Sequence, residues 1–146
     1  MPYAAADAVT VMAFDYGCKR IGVAIGQTVS RTATALKIVS ADSGNPRWQE
    51  ITHLVEEWRP DLFVVGFPTY RDSETHMLSA EIEQFSRRLS GRYGRLVDFV
   101  DERLSSFEAS ADPMTATKGL DAVAARLILM TWFEHGALHK EPIENQ

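Results

Sequence analysis

The amino-acid sequence predicts a single α/β domain with a mixed β-sheet, and three observations support this. The chain has 146 residues, which is the usual size of one domain. Three strand-like segments come first, and strand-like and helix-like segments then alternate, in the order β-β-β-α-β-α-β-α-α. No internal repeat or long linker divides the chain. We therefore expect residues 1–146 to form one domain, with flexible tails at residues 1–9 and 136–146.

The first half of the expected sheet is a three-stranded meander. The run from Thr10 to Asp15 is apolar and ends in an acid, and a second apolar run, Ile21 to Gly26, follows after a short turn. This close succession predicts an antiparallel hairpin. A third strand is expected from Thr34 to Val39, and the polar segment from Asp42 to Pro46 is expected to be a loop.

A helix and a buried strand are expected next. Apolar residues at near-helical spacing predict a helix that ends at Arg59-Pro60 and buries both of its tryptophans: Trp48, Ile51, Val55 and Trp58. The run from Leu62 to Gly66 is continuously apolar and rich in β-forming residues. Such a run is typical of a central strand covered on both faces.

The remaining elements follow from the same patterns. A second helix has Leu78, Ile82, Phe85 and Leu89 on one face, and Gly91 and Gly94 are expected to end it. A fifth strand is expected from Leu96 to Val100, before Asp101 and Glu102. The last part should contain a short helix (Leu104 to Ala111), a loop (Pro113 to Gly119) and a final helix (Leu120 to Glu134), with Val123, Ala124, Leu127, Ile128 and Thr131 on one side.

Composition excludes several classes of protein. Fifteen Lys and Arg against twenty Asp and Glu give a net charge of −5, which disfavours broad electrostatic attraction to nucleic acid. A single cysteine, Cys18, excludes an intramolecular disulfide. The N-terminal segment does not resemble a signal peptide, and no apolar run approaches the roughly 20 residues that span a bilayer. We expect a cytoplasmic protein with no membrane partner.

Acidic residues stand at the ends of the expected elements. Asp15 closes the first strand, Asp101 and Glu102 close the fifth, and Asp121 opens the final helix. Ligands of open α/β sheets bind at the carboxyl ends of strands, where such acids converge. Mg²⁺ takes oxygen ligands, and two such ions support in-line hydrolysis of a phosphodiester. Each acid also has a purely structural interpretation, since Asp bonds turn amides and caps helices.

Four sequence blocks, which begin at Asp15, Val65, Val100 and Asp121, resemble those of the YqgF/RuvX family. Its members are named as Holliday junction resolvases or pre-16S rRNA nucleases. Asp15-Tyr-Gly-Cys-Lys-Arg-Ile-Gly-Val-Ala24 is similar to the family's D-x-G-x-K-R-x-G-V-A. Val65-Gly-Phe-Pro68 resembles its V-G-x-P, and Val100-Asp-Glu-Arg-Leu-Ser-Ser106 resembles its D-E-R-L-T-T with Ser for both Thr. Asp121-Ala-Val-Ala-Ala125 is similar to its D-S-x-A-A helix. The blocks keep their order from about Val11 to about Phe133.

The resemblance implies an RNase H-like fold and a metal-dependent nuclease. The expected sheet has five strands, with the second strand antiparallel, and helices flank it. Carried over block by block, Asp15, Glu102 and Asp121 are the catalytic acids and ligands of Mg²⁺ or Mn²⁺, and Asp101 is the less certain member of its pair. Hydrolysis would leave a 5′-phosphate and a 3′-hydroxyl.

Basic residues near these acids are candidates for substrate binding. Lys19 and Arg20 follow Asp15 and can either contact the scissile phosphate or lie in a solvated turn. Arg103 has the same two interpretations, Arg71 follows the fourth strand, and Lys118 is the only basic residue between Ser106 and Asp121. A further basic cluster, Arg87-Arg88 with Arg92 and Arg95, can favour the dipole of the second helix or contact phosphates.

Three functions remain open from the sequence. The leading hypothesis is a nuclease acting in maturation of the 16S rRNA 5′ end, with the ribosomal particle as a partner that presents the precursor rRNA. A resolvase of four-way DNA junctions is the enzymatic alternative, and it should be a homodimer rather than a monomer because two symmetric cuts suit a two-fold protein. The third is a non-catalytic nucleic-acid-binding module of the same fold.

Overall fold

A computed structural model of the chain describes residues 9–67, 73–101 and 120–136. We number the elements in chain order. The strands are β1 (Thr10–Asp15), β2 (Arg20–Gln27), β3 (Thr32–Asp42), β4 (Asn45–Pro46), β5 (Leu62–Phe67) and β6 (Val97–Asp101), and the helices are α1 (Trp48–Trp58), α2 (Ser73–Tyr93) and α3 (Leu120–His135). The expected short helix from Leu104 to Ala111 and the loop after it lie outside the described residues, as do residues 1–8 and 137–146 of the expected tails.

The strands form one mixed sheet in the order β4-β3-β2-β1-β5-β6. β2 pairs antiparallel with both β1 and β3, whereas β5 pairs parallel with β1 and β6. The predicted α/β class and the antiparallel second strand are therefore confirmed. The predicted count of five strands is corrected to six, because Asn45 and Pro46, predicted as loop, pair with the end of β3.

Two layers of helices cover the sheet. α1 and α2 pack on one face, with side chains such as Ile51 and Phe85 over Phe14 and Phe63 of β1 and β5. α3 packs on the other face, where Ile128 and Trp132 meet the alternate residues of the same strands. The central strands are buried on both faces, which is why their sequences read as continuous apolar runs. None of the described helices is long and apolar enough to cross a membrane.

β3 is longer than predicted and contains a β-bulge. Its pairing with β2 shifts by one residue, so that Val23 pairs with Lys37 while Ala24 pairs with Ala35. A bulge reverses which face the following residues occupy. Ala33 accordingly packs on the α3 side before the bulge and Val39 on the α1–α2 side after it. A search for simple alternation therefore finds only part of this strand.

The two tryptophans of α1 differ in environment. Trp48 is 8% exposed and packs in the core, as predicted, whereas Trp58 is 41% exposed. The prediction that Trp58 packs in the core is wrong. Trp58 is the last residue of α1, and Arg59 then takes a left-handed conformation (φ 46°) with its N–H bonded to Val55 O at 2.8 Å. The ring of Trp58 thus lies beyond the helical turns of α1 that cover the sheet.

α2 and α3 each depart from the sequence prediction in one respect. Gly91 lies inside α2 rather than ending it, and only Gly94 ends it, with φ 67° and its N–H on Ser90 O. The sheet-facing stripe of α3 is not the predicted one. Ala125, Ile128, Leu129 and Trp132 face the sheet, while Val123 and Leu127 form a separate small cluster. Because α3 is apolar on several sides, periodicity alone did not identify the stripe.

α3 approaches the sheet closely because β2 carries small residues beneath it. Gly22, Ala24 and Gly26 occupy the α3 side of β2, alternating with the larger side chains of the other face. A Cβ added to Gly26 would lie 2.8 Å from Cδ2 of Leu129 and 2.2 Å from the backbone oxygen of Thr32. The position thus accepts no side chain, and this close approach fixes α3 over β2.

One acid is buried in the core between β6 and α3. Asp98 is 1% exposed, and its Oδ2 accepts a hydrogen bond from Trp132 Nε1 at 3.1 Å. Its other oxygen, Oδ1, is buried and has no hydrogen-bond partner among the residues that the structure describes. Burial raises the pKa of the Asp98 carboxyl above its usual value, and the bond from Trp132 opposes this only in part. The charged form of Asp98 therefore destabilises the fold.

Asp98→Asn is expected to stabilise the protein at neutral pH by about 1 kcal/mol, because it removes a buried charge and keeps an oxygen for Trp132. A raised pKa means that the native state holds the proton longer than the unfolded state, so stability of the original protein falls as pH rises above about 4. Thermal unfolding from pH 3 to 8 checks this. The gain should vanish below about pH 4, and a gain independent of pH would contradict the explanation.

Candidate active site

Asp15 is the last residue of β1, at the edge where the three parallel strands end. Alternation along β1 places Val11, Ala13 and Asp15 on the α3 side of the sheet. Its direct partner on β2 is Gly22, and on β5 the position after the Phe14–Val65 pair is Gly66. The positions beside Asp15 on both neighbouring strands are therefore glycines, which place no side chain next to it within the described strands. A half-buried carboxylate in such a notch can accept a cation or a water molecule.

The turn after Asp15 is fixed to the β3–β4 turn by hydrogen bonds. The hydroxyl of Tyr16 donates to Gly44 O at 3.0 Å, and the N–H of Gly44 donates to Cys18 O at 2.8 Å. Burial, followed by the charge of Glu81, raises the pKa of Tyr16, so that the phenol stays protonated and keeps donating. These contacts hold the β1–β2 turn against the β3–β4 turn and thereby fix the position at which β1 ends.

Asp101 ends β6 at the same edge as Asp15 but on the other face. Val97 and Phe99 of β6 pack on the α1–α2 side, whereas Asp98 and Val100 face α3. Alternation therefore assigns Asp101 to the α1–α2 side. Two strand spacings separate β1 from β6, roughly 10 Å. The sequence left open whether Asp101 joins Asp15, and this geometry disfavours it.

The first turn of α3 is directed toward the edge at which Asp15 lies. At the other end of the helix, Arg31, in the β2–β3 turn, donates to Phe133 O. That turn lies at the edge where β1 begins, because Thr10 pairs with Gln27. The backbone of Asp121 is the second position of α3, one helical turn before Ala125. Its side chain and the whole of Glu102 lie outside the described residues.

The predicted basic residues are only partly described. Lys19 is exposed in the β1–β2 turn, and Arg20 is the exposed first residue of β2. Ala41 N donates to Lys19 O at 2.9 Å, which holds this turn beside β3. Lys19 and Arg20 thus lie near the end of β1, and their contact with a substrate stays a prediction. Arg71, Arg103 and Lys118 lie outside the described residues.

No metal centre is complete within the described part of the chain. Groups of three or more His, Cys, Asp or Glu side chains suited to a metal do not occur there. Of the three predicted acids, Asp15 alone has a described side chain, and its carboxylate is the oxygen donor that Mg²⁺ or Mn²⁺ prefers. Asp15 and the direction of α3 are thus consistent with a metal site at this edge. The role of Gly66 was missed, because a glycine in a buried run carries no polar signal.

Sequence comparisons identify curated relatives over most of the chain. A protein from Hydrogenovibrio crunogenus is 45% identical over 124 residues, covering 85% of this chain and 92% of that protein. A protein from Pectobacterium atrosepticum is 46% identical over 132 residues, covering 86% and 95%. Both carry the name "Putative pre-16S rRNA nuclease".

A structural comparison supports the fold. A solved chain described as T. thermophilus RuvC in complex with Holliday junction substrate aligns with a TM-score of 0.56 at 14% identity, covering 92% of this chain and 99% of that one. The RNase H-like fold is therefore confirmed. The family profile described as "RuvX: Holliday junction resolvase" matches residues 9–135. With this match and relatives above 40% identity, the chain belongs to the RuvX family.

Proposed function

We propose that this chain is a metal-dependent nuclease that hydrolyses phosphodiester bonds of structured nucleic acid, and that its reaction is maturation of the 5′ end of pre-16S rRNA. Membership of the RuvX family and the nuclease names of relatives at 45–46% identity support the enzyme class. The structural observation that carries the proposal is Asp15, held at the carboxyl end of β1 between Gly22 and Gly66 and facing α3.

The proposed catalytic acids are Asp15, Glu102 and Asp121, which would together hold Mg²⁺ or Mn²⁺. Asp15 fits this role because its half-buried carboxylate stands at the carboxyl end of β1, beside Gly22 and Gly66 of the two neighbouring strands. The proposal takes Glu102 rather than Asp101 because alternation assigns Asp101 to the opposite face of the sheet. Asp121 is included because α3 runs toward the edge at which Asp15 lies. These three acids come from three elements that end or begin at one edge.

The proposed chemistry is in-line displacement at phosphorus. A bound divalent ion would supply activation of the attacking water and stabilisation of the departing oxygen. Asp15 would help to hold that ion at the fixed end of β1. Lys19 and Arg20, in the adjoining turn, would contact the non-bridging phosphate oxygens and offset their charge. Cleavage would leave a 5′-phosphate and a 3′-hydroxyl.

The net charge of −5 is compatible with this substrate. Some of the acids belong to the proposed metal site, where bound divalent ions would reverse the local sign of the charge. The few basic residues around that site predict modest, salt-sensitive affinity for naked nucleic acid. We therefore propose that the ribosomal particle contributes to presenting the precursor rRNA.

Cleavage assays on matched substrates test the proposal. Labelled precursor 16S rRNA, naked and within small-subunit particles, and a four-way DNA junction are incubated with the protein in Mg²⁺, Mn²⁺ or EDTA. We expect cleavage at the 5′ side of the 16S sequence, faster in particles, and no cleavage in EDTA.

The alternative substrate makes a different prediction for the same assay. A junction resolvase should be dimeric and should cut two strands symmetrically. Paired, symmetric nicks in the junction by a dimer, together with intact precursor rRNA, would therefore reject the rRNA proposal in favour of the resolvase. This alternative is tested because the matching family is described as a Holliday junction resolvase.

A further inference from the structure

Two arginines of α2 lie over one tryptophan ring on the α1–α2 side of the sheet. The Cζ of Arg88 is 4.9 Å from the ring centroid of Trp48, and the Cζ of Arg92 is 4.3 Å from it. Arg88 and Arg92 are four residues apart, so they project from the same side of the helix. We name Trp48, Arg88 and Arg92 the arginine–tryptophan cluster.

The members of this cluster are held in place by the core. The ring of Trp48 stacks on Phe85 with centroids 5.8 Å apart and an interplanar angle of 25°. Arg88 Nη2 also donates to Asn45 Oδ1 at 3.2 Å, which ties the guanidinium to the β3–β4 turn. A guanidinium that already rests on an aromatic ring loses little further freedom when it binds an anion.

Acidic groups lie near the cluster without pairing with it in the described part of the chain, since Glu81 acts on Tyr16 together with Arg88. Among the residues described here, neither Arg88 nor Arg92 forms a salt bridge with a carboxylate. Arg47 and Arg87 are exposed and adjoin cluster members in sequence, which adds positive charge beside them. Two guanidinium groups over one ring repel each other, and an anion bound between them would relieve that repulsion.

The helix dipole explains only part of this arrangement. Arg92 lies in the last turn of α2, where a positive charge favours the dipole. Arg88 lies one turn earlier and is aimed at Trp48 and Asn45 rather than at the terminal carbonyls. Arg95, in contrast, donates to Pro60 O and serves the structure. The dipole therefore does not account for the position of Arg88.

Arg88 of the cluster lies beside the β3–β4 turn, at the edge of the sheet where Asp15 lies. Tyr16 follows Asp15, packs against Phe85 with ring centroids 5.0 Å apart, and donates to Gly44 O. Residue 45, which follows Gly44, accepts the hydrogen bond from Arg88. A path over the β1–β2 and β3–β4 turns thus joins the end of β1 to the cluster, and the exposed Lys19 lies along it.

We propose that the arginine–tryptophan cluster is a second phosphate-binding site, which holds the sugar–phosphate backbone of the nucleic-acid substrate outside the scissile bond. Arginine suits this role because its planar fork binds phosphate oxygens in pairs. Trp48 is buried, so it serves as the platform for the arginines and not as a stacking surface for a base. This inference rests on the proposed function, since it takes nucleic acid as the substrate.

Binding measured without cleavage tests the inference. Fluorescence anisotropy of a labelled precursor-rRNA hairpin and of a labelled four-way DNA junction is recorded in EDTA and in Ca²⁺ over a range of KCl concentrations. The Arg88→Gln/Arg92→Gln variant should bind more weakly, and its slope of log K against log [KCl] should be shallower by about 1.5, the loss of two phosphate contacts. Arg88→Lys/Arg92→Lys should keep most of that slope while binding more weakly than the original protein.

Arg59→Gln is the matched control. Arg59 is exposed at the end of α1, and Asp61, two residues on, donates its N–H to Thr10 O at the edge where β1 begins. The Arg59→Gln variant should have the same affinity, and the same slope of log K against log [KCl], as the original protein. Thermal unfolding verifies that each variant is folded, and if the double variant is not, the single variants should each lose about 0.8 of the slope.

The outcomes separate this inference from the proposed function. A shallower slope in Arg88→Gln/Arg92→Gln, with Arg59→Gln unchanged, supports the phosphate site. Equal slopes for all three proteins overturn the site and leave the nuclease proposal intact. If the original protein binds neither nucleic acid in either condition, the site is overturned, and the cleavage assay in small-subunit particles decides the proposed function separately.

Discussion

Asp15→Asn is expected to slow phosphodiester cleavage by about 10²-fold or more, in Mg²⁺ and in Mn²⁺. Changing a group that only supports a metal ligand costs 10- to 100-fold, so the loss of a ligand charge should cost at least as much. The substitution keeps the size of the side chain in its notch between Gly22 and Gly66, and the fold should persist. Single-turnover cleavage of precursor 16S rRNA measures the effect.

Asp61→Asn is the matched control at the other edge of the sheet. Asp61 Oδ2 accepts a hydrogen bond from Thr10 N at 2.9 Å, at the start of the strand that Asp15 ends. The oxygen of asparagine can keep that bond, so this variant should cleave at the original rate. If Asp15→Asn also cleaves at the original rate in both metals, Asp15 is not catalytic. If neither the original protein nor the Asp15→Asn variant cleaves the substrate but both bind it, the non-catalytic binding module is the better explanation.

The fold followed from the sequence where one pattern decided each element. The strands around Phe14 and Val64 are buried on both faces. A continuous apolar run indicates such a strand directly. The short spacing between β1 and β2 indicated the antiparallel pair, which the register confirms. These features depend on neighbours in sequence, and local reasoning is adequate for them.

The structure departs from the sequence prediction where contacts between residues distant in sequence determine the local structure. The pairing of Asn45-Pro46 with β3 depends on the end of β3, which the sequence placed too early because a bulge shifts its register. The burial of Trp58 depends on how far α1 extends over the sheet, which helical spacing does not contain. The sequence left open whether Arg88 serves the dipole of α2 or contacts phosphates. Its contact with Trp48 could not be predicted for the same reason, since the two residues are forty positions apart in sequence.

The candidate site could be predicted only as a set of acids. The sequence named Asp15 and offered both Asp101 and Glu102, because adjacent acids differ only in the face that each occupies. The face is decided by the alternation of β6 against two cores, with Phe99 on one and Val100 on the other. No sequence pattern marked Gly66 as the neighbour of Asp15, because the pairing of β1 with β5 is a tertiary contact.

Gly26→Ala is expected to destabilise the protein by about 3 kcal/mol or more, because no space exists for the added methyl group. Its Cβ would lie 2.2 Å from the backbone oxygen of Thr32 and 2.8 Å from Leu129 Cδ2. Relief requires β3 to move away from β2, which breaks the Gly26–Ala33 pairing, or α3 to move away from the sheet. Chemical denaturation measures the change in the free energy of unfolding.

Gly91→Ala makes the same chemical change with the opposite expected sign. A Cβ added at Gly91 meets no atom of the described residues within 4 Å, apart from its chain neighbours and the backbone of its own helix. The residue lies inside α2, where alanine is favoured over glycine by about 0.5–1 kcal/mol. The two variants thus separate the effect of packing from that of backbone freedom.

Gly26→Ala should also lower cleavage at temperatures where it remains folded, because displacing α3 displaces the backbone of Asp121. A Gly26→Ala protein as stable as Gly91→Ala would show that α3 does not depend on this contact for its position.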